Sequence, residues 1–168
     1  MLGRVKSSPG RSLAAPPLLA VLITVAGCAP SDDSASVAVP APKGEPARLC
    51  RALHGKLPDT VDGLKRRTAD PVSDFTAVWG SPAVRLRCGV PKPDVLKPGN
   101  EHYNPLQDAA EINGVEWLFE KQDDGYRFTT VLRRANVEVT VPGKYAPEVD
   151  VLTDLASAVK KTVPVGVV

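Results

Sequence analysis

Alternation of apolar and polar residues governs the second half of the chain. In Ala83–Cys88, Val84, Leu86 and Cys88 point one way and Arg85 and Arg87 the other, which predicts a half-buried strand aiming Cys88 inward. Ala110–Ile112, Asn113-Gly114 and Val115–Phe119 read as strand, two-residue type I′ turn and strand. Asp123-Asp124-Gly125 turns the chain into Tyr126–Leu132, where Tyr126, Phe128, Thr130 and Leu132 share a face, and Val137–Val141 alternates throughout before Pro142-Gly143 ends it. Between the first strand and the hairpin, residues 89–104 carry Pro91, Pro93 and Pro98 and predict a loop.

The period lengthens to that of a helix at both ends of this region. Pro46–His54 predicts a short helix, with Pro46 in the first turn, Leu49 and Leu53 four apart and Gly55 after the end. Val149, Leu152, Leu155, Ala156 and Val159 form an apolar stripe, with Pro147 and Glu148 before it and Lys160-Lys161 after it, so the last element is also a helix. Residues 57–63 read as irregular with a turn, and the pattern leaves Ser73–Trp79 open between a helical turn and an extended approach. The expected fold class is α+β: a two-layer sandwich in which an antiparallel four- to five-stranded meander sheet is packed by an N-terminal and a C-terminal helix.

The N-terminus has a different grammar. Arg4, Lys6 and Arg11 precede an apolar run, Leu13–Ala26, which closes on Val25-Ala26-Gly27-Cys28. That order is a lipoprotein signal: small residues admit the peptidase, and the Cys28 thiol after the cut accepts a diacylglyceryl group. The run is shorter than the roughly 20 apolar residues of a membrane span, and Pro16-Pro17 interrupts it. The expected division is a signal peptide over 1–27, a lipidated Cys28 with a disordered Ala/Ser/Pro tether over 28–45, and a single globular domain over 46–168. The expected location is the extracytoplasmic face of the cell membrane, with membrane lipid as the first partner.

Charge narrows the partners. The whole chain has a net charge of +2, but Arg4, Lys6 and Arg11 leave with the leader, and the remainder is close to neutral. That excludes an electrostatic case for nucleic acid. With Cys28 acylated, Cys50 and Cys88 are left in an oxidising space, where a remaining pair predicts a disulfide. A metal site is the weaker alternative, because two cysteines without a Cys-x-x-Cys and two histidines make a thin ligand set. No metal and no cofactor are expected.

Candidate chemistry is sparse. His54 ends a helix, where a cation is mildly favourable. His102 sits in Glu101-His102-Tyr103-Asn104, a polar cluster that either binds something or is plain solvated loop. Arg85, Arg87, Glu116, Arg127, Arg133 and Glu138 fall on the solvent side of the strands; they make either a recognition surface or ordinary cross-strand charge pairs. Trp79 in Trp79-Gly80-Ser81-Pro82 either caps the core, the preferred reading, or lines a cleft. No Gly-x-Ser-x-Gly context surrounds any serine. The favoured function is a non-enzymatic module binding a wall component or an envelope protein through Arg85, Arg87, Arg127, His102 and Tyr103. The alternative is an envelope hydrolase or transferase using His54 or His102.

Several stretches carry a family resemblance: Leu57-Pro58-Asp59-Thr60-Val61, Arg66-Arg67, Trp79–Val84, Leu86-Arg87-Cys88-Gly89-Val90-Pro91 and Asn113–Trp117, joined by Thr129 to Pro142. From about Cys50 to the last helix the chain resembles the small actinobacterial lipoproteins of the domain of unknown function 3515 family. The resemblance implies a cell-envelope lipoprotein of high-GC Gram-positive bacteria. It brings no established activity, cofactor or catalytic residue.

Overall fold

The computed structural model describes Gly3 and residues 34–166; the rest of the expected signal peptide, and Cys28, lie outside the described residues. Among the described residues there are nine strands and two α-helices: β1 Ser34–Ser36, α1 Gly44–His54, β2 Thr60–Val61, β3 Leu64–Asp70, β4 Thr76–Trp79, β5 Val84–Cys88, β6 Ala109–Ile112, β7 Val115–Lys121, β8 Tyr126–Thr130, β9 Val137–Val141 and α2 Asp150–Thr162. The strands form one sheet in the order β1-β3-β4-β5-β9-β8-β7-β6, with β2 paired to β3. The α+β class holds. The sheet is larger than the four to five strands expected, because β3 and β4 extend it and β1 adds a short parallel strand at its edge.

The missed strands have physical explanations. Alternation in Leu64–Asp70 is masked by Lys65-Arg66-Arg67, since Arg66 lies partly covered with its guanidinium over the Trp79 ring. All four residues of Thr76–Trp79 are buried, so period two cannot show there. The Asn113-Gly114 hairpin is as expected, with φ of 50° and 78° and Ile112 opposite Val115. A second tight turn at Asp62-Gly63, with φ of 47° and 72°, joins β2 to β3.

One face of the sheet holds the main core. Trp79, Val84, Leu86, Trp117, Phe128 and Val139 pack there against Leu53 of α1 and Leu152, Leu155 and Val159 of α2. Trp79 belongs to the core: it is fully buried, and its Nε1 donates to the Pro58 carbonyl at 3.1 Å. Cys50 and Cys88 form a disulfide that ties α1 to β5.

The other face is only partly open to solvent, and here the tether expectation is corrected in part. Residues 34–43 do not hang free. Ser34–Ser36 pairs with Thr68–Asp70, Val37 donates to the Asp70 carbonyl at 3.0 Å, and Val37 packs with Ala69, Val78 and Ala83 in a second small cluster. Arg85 Nε donates to Ser36 O at 3.1 Å and Arg87 Nε to Ala38 O at 2.8 Å. This strap closes against Gly89, whose backbone at φ 86° leaves no room for a Cβ beside Pro42. The Ala/Ser/Pro composition hides the segment, since its attachment relies on donors from residues some 49 positions away.

Removing the disulfide by Cys50→Ser with Cys88→Ser releases a loop spanning 38 positions. The expected cost is about 3–4 kcal/mol, read as a lower urea midpoint; an unchanged midpoint would show that α1 is held by packing alone.

Candidate functional site

The sequence places four prolines in residues 89–108, and each removes a main-chain donor, so this stretch cannot join the sheet. Both its roots are tied. Gly89 N donates to Asn136 O and Asn136 Nδ2 to Val90 O, while Gln107 Nε2 donates to Phe119 O and Phe119 N to Asp108 O. Between the roots the loop satisfies itself: Lys97 pairs with Asp94 at 2.7 Å, Asn100 Oδ1 accepts from His102 N, and Asn104 Oδ1 accepts from Leu106 N. The result is an arch over the outer face of the sheet.

Under the arch lies a cavity of about 500 Å³. Its floor is set by strand register. Arg87 stands opposite Glu138 and bonds it at 3.0 Å; Arg127 stands opposite Glu120 and bonds both carboxylate oxygens, at 2.8 and 3.1 Å. The carboxylates are mostly covered, Glu138 at 12% and Glu120 at 13% exposed, so these are more than surface pairs. Hydrogen bonding to Glu120 is the main reason the Arg127 pKa is raised, against the opposing effect of burial. Lys92, Lys97 and His102 close the cavity from the loop side. The Lys97 hydrogen bond and charge lower the Asp94 pKa.

Beyond Lys92-Pro93 a second cavity of about 270 Å³ opens, with Tyr103, Leu96, Pro105 and Leu132 among its walls. Leu132 holds φ at 52° and is 58% exposed. A leucine in the left-handed region at the rim of a cavity is locally strained, and strain of this kind gathers where a surface is shaped for contact.

Arg87, Arg127 and His102, from three separate segments, thus border one cavity, and Tyr103 borders its neighbour. Arg85 does not join them: its guanidinium is spent on the Ser36 and Ala83 carbonyls beneath the strap. Arg133 is not on a solvent face at all. It is 6% exposed and donates to Val163 O at 3.0 Å and Gly114 O at 2.8 Å, with its pKa lowered by burial. The chain twists out of the strand at Leu132, which moves the next side chain inward. Glu120 and Lys92 are site residues that the pattern reading missed. Glu120 was findable, since it and Arg127 each lie two residues from the Gln122–Gly125 connection between β7 and β8; Lys92 carries no local signal.

His54 is held as a strut. Arg66 Nη2 lies 3.0 Å from His54 Nε2. A guanidinium only donates, so Nε2 accepts and the ring proton sits on Nδ1, facing Asp74 Oδ1 at 4.0 Å. Burial first, then the Arg66 charge, lower the His54 pKa, while Asp74 opposes them. The ring borders a cavity of about 170 Å³, but with its only lone pair engaged it is badly placed to act as a base. His102 is 67% exposed and lies 3.4 Å from Glu101. Ser157 and Lys160 have serine–lysine spacing, yet both are exposed near the end of α2. Among the described residues no group of three or more His, Cys, Asp or Glu is placed to hold a metal ion.

The model of a protein family described as Protein of unknown function (DUF3515) matches residues 13–167. No curated protein and no solved structure matches the chain.

Two outcomes are expected. His54 is neutral in the folded state with a pKa below its unfolded value of about 6.5, so its contribution to stability is complete above that pH and is lost as pH falls through the folded pKa. The urea midpoint should decline over that window in the wild type and decline less in His54→Gln; parallel profiles would refute it. Arg133→Leu leaves two covered carbonyls without donors and should cost about 2–4 kcal/mol, measured by the same unfolding curve.

Proposed function

The chain belongs to the DUF3515 family, and from that premise we propose that it is an actinobacterial-type lipoprotein, anchored at Cys28 on the outer face of the membrane, which acts as a non-enzymatic binding module of the envelope. The observation that carries the binding reading is the convergence of Arg87, Arg127 and His102 on one cavity beneath the proline-rich arch. Its floor is rich in paired donors and acceptors, and the adjoining cavity offers Tyr103 and Leu132 as apolar contacts. Polar groups for orientation beside an aromatic wall are what a binding site requires. The ordered signal from Arg4 to Cys28 supports the anchor. The engagement of His54 Nε2 by Arg66 weighs against the hydrolase or transferase reading.

The ligand on this reading is a polar wall component or an envelope protein that presents a hydrogen-bonding group to the charged cavity and an apolar group to Tyr103. Arg87 and Arg127 also hold the fold together, so the test uses the rim. Lys92→Glu, His102→Ala and Tyr103→Ala together should leave the thermal midpoint in place. Capture of the ligand by a photo-crosslinker at Leu106 in intact membranes should fall about tenfold or more, equivalent to ~1.4 kcal/mol. Undiminished capture from this folded variant would sink the groove as the binding site. Intact mass spectrometry of protein from its host tests the anchor, which predicts a chain beginning at an acylated Cys28.

A further inference from the structure

The strap changes what a lipid anchor would do. Were the chain free up to α1, sixteen peptide units would separate Cys28 from Gly44, a reach of about 55 Å. With Ser34 already fixed on the sheet, six units remain, a reach of about 20 Å. The leash is then shorter than the roughly 35 Å diameter of a domain this size.

Its point of exit is fixed as well. β1 runs parallel to β3 with Ser34 opposite Thr68, so Ser34 is the end of β1 nearer to Lys65. Arg67 marks the place: its guanidinium donates to Ser34 O at 3.2 Å and to Gly80 O at 2.8 Å, so Ser34 lies beside the Gly80–Pro82 turn. Lys144 joins the same end, donating to Ser81 O, as does Tyr145, whose hydroxyl donates to Pro82 O. β5 leads away from this turn to Cys88 and the root of the proline-rich arch at Gly89. Thr130, Leu132 and Val165 also lie at that far end, where Arg133 bridges to Val165.

We propose that the strap seats the domain on the phospholipid surface in one orientation, with the Gly80–Pro82 turn, Lys144 and Tyr145 against the headgroups and the cavity bordered by Tyr103 and Leu132 directed into the envelope. This deepens the anchored reading above and rests on Cys28 being acylated. The restraint is one of length: a domain about 35 Å across on a leash of about 20 Å can tip, but it cannot bring its far end to the bilayer. Lys65 and Lys144 add attraction to anionic headgroups, but Asp32 and Asp33 lie in the leash itself, so charge is not what sets the orientation.

The test uses the acylated full-length chain in vesicles of phosphatidylethanolamine and phosphatidylglycerol carrying a headgroup-linked nitroxide quencher. A fluorophore on Ser81→Cys should be strongly quenched and one on Val165→Cys should not. A long Gly/Ser insertion after Ala29, which leaves the folded part untouched, should abolish the difference. Equal quenching at the two positions overturns the orientation, and a difference that survives the insertion overturns the short leash as its cause; either result leaves the anchor standing. A chain whose Cys28 carries no lipid by mass spectrometry overturns both. The strap has its own check in unacylated protein: the Val37 amide should resist hydrogen exchange like a strand amide, and free exchange there overturns the proposal irrespective of lipidation.

Discussion

Arg85 and Arg87 on β5 reach outward from the sheet and find main-chain carbonyls, those of Ser36 and Ala38, waiting for them. A guanidinium is a rigid array of donors with no acceptor, so it can be covered only where carbonyls or carboxylates satisfy it. That requirement organises the whole outer face. On the β3–β5 half, the strap supplies carbonyls and lets Val37 settle over Val78 and Ala69. On the β7–β9 half, Glu138 and Glu120 supply carboxylates from neighbouring strands. The proline-rich loop over this second half meets paired charges in place of apolar side chains. It spans the surface without collapsing onto it, and a polar cavity is left underneath.

The opposite face obeys the simpler rule of apolar burial. Two helices and the buried inward residues of six strands close around Trp79, Trp117 and Phe128, and Phe119 and Tyr126 extend that aromatic group toward the sheet edge. Two of the polar groups that enter this layer have a defined task, whereas the buried Trp117 Nε1 has no partner among the described residues. Arg133 caps the Gly114 and Val163 carbonyls, and Thr130 Oγ1 accepts from the Val137 amide where β9 begins. The disulfide joins the two faces in effect, since Cys88 ends the strand that carries the strap's two arginines and begins the arch at Gly89.

The proposed groove is built from a fixed sheet and a loop tied at both roots, while His54 is committed to Arg66 and has no free lone pair to offer a nucleophile. The same strap that completes the outer face would also set the stance of an anchored protein, so the fold and the proposed location draw on one feature.

By itself, the sequence determined the α+β class, the β6–β9 meander with its Asn-Gly turn, both helices, the Cys50–Cys88 pairing and Trp79 in the core. All of these rest on local periodicity, turn chemistry or simple counting, which neighbours in the chain are enough to express. Only the tertiary structure decided that Ser34–Lys43 is a strap, that β3 and β4 widen the sheet, that Arg133 is buried, and that Arg87, Arg127 and His102 share a cavity while Arg85 is withheld from it. Those outcomes depend on donors and acceptors brought together from tens of residues apart, and a residue's own neighbourhood in sequence carries no trace of the carbonyl that will one day satisfy it.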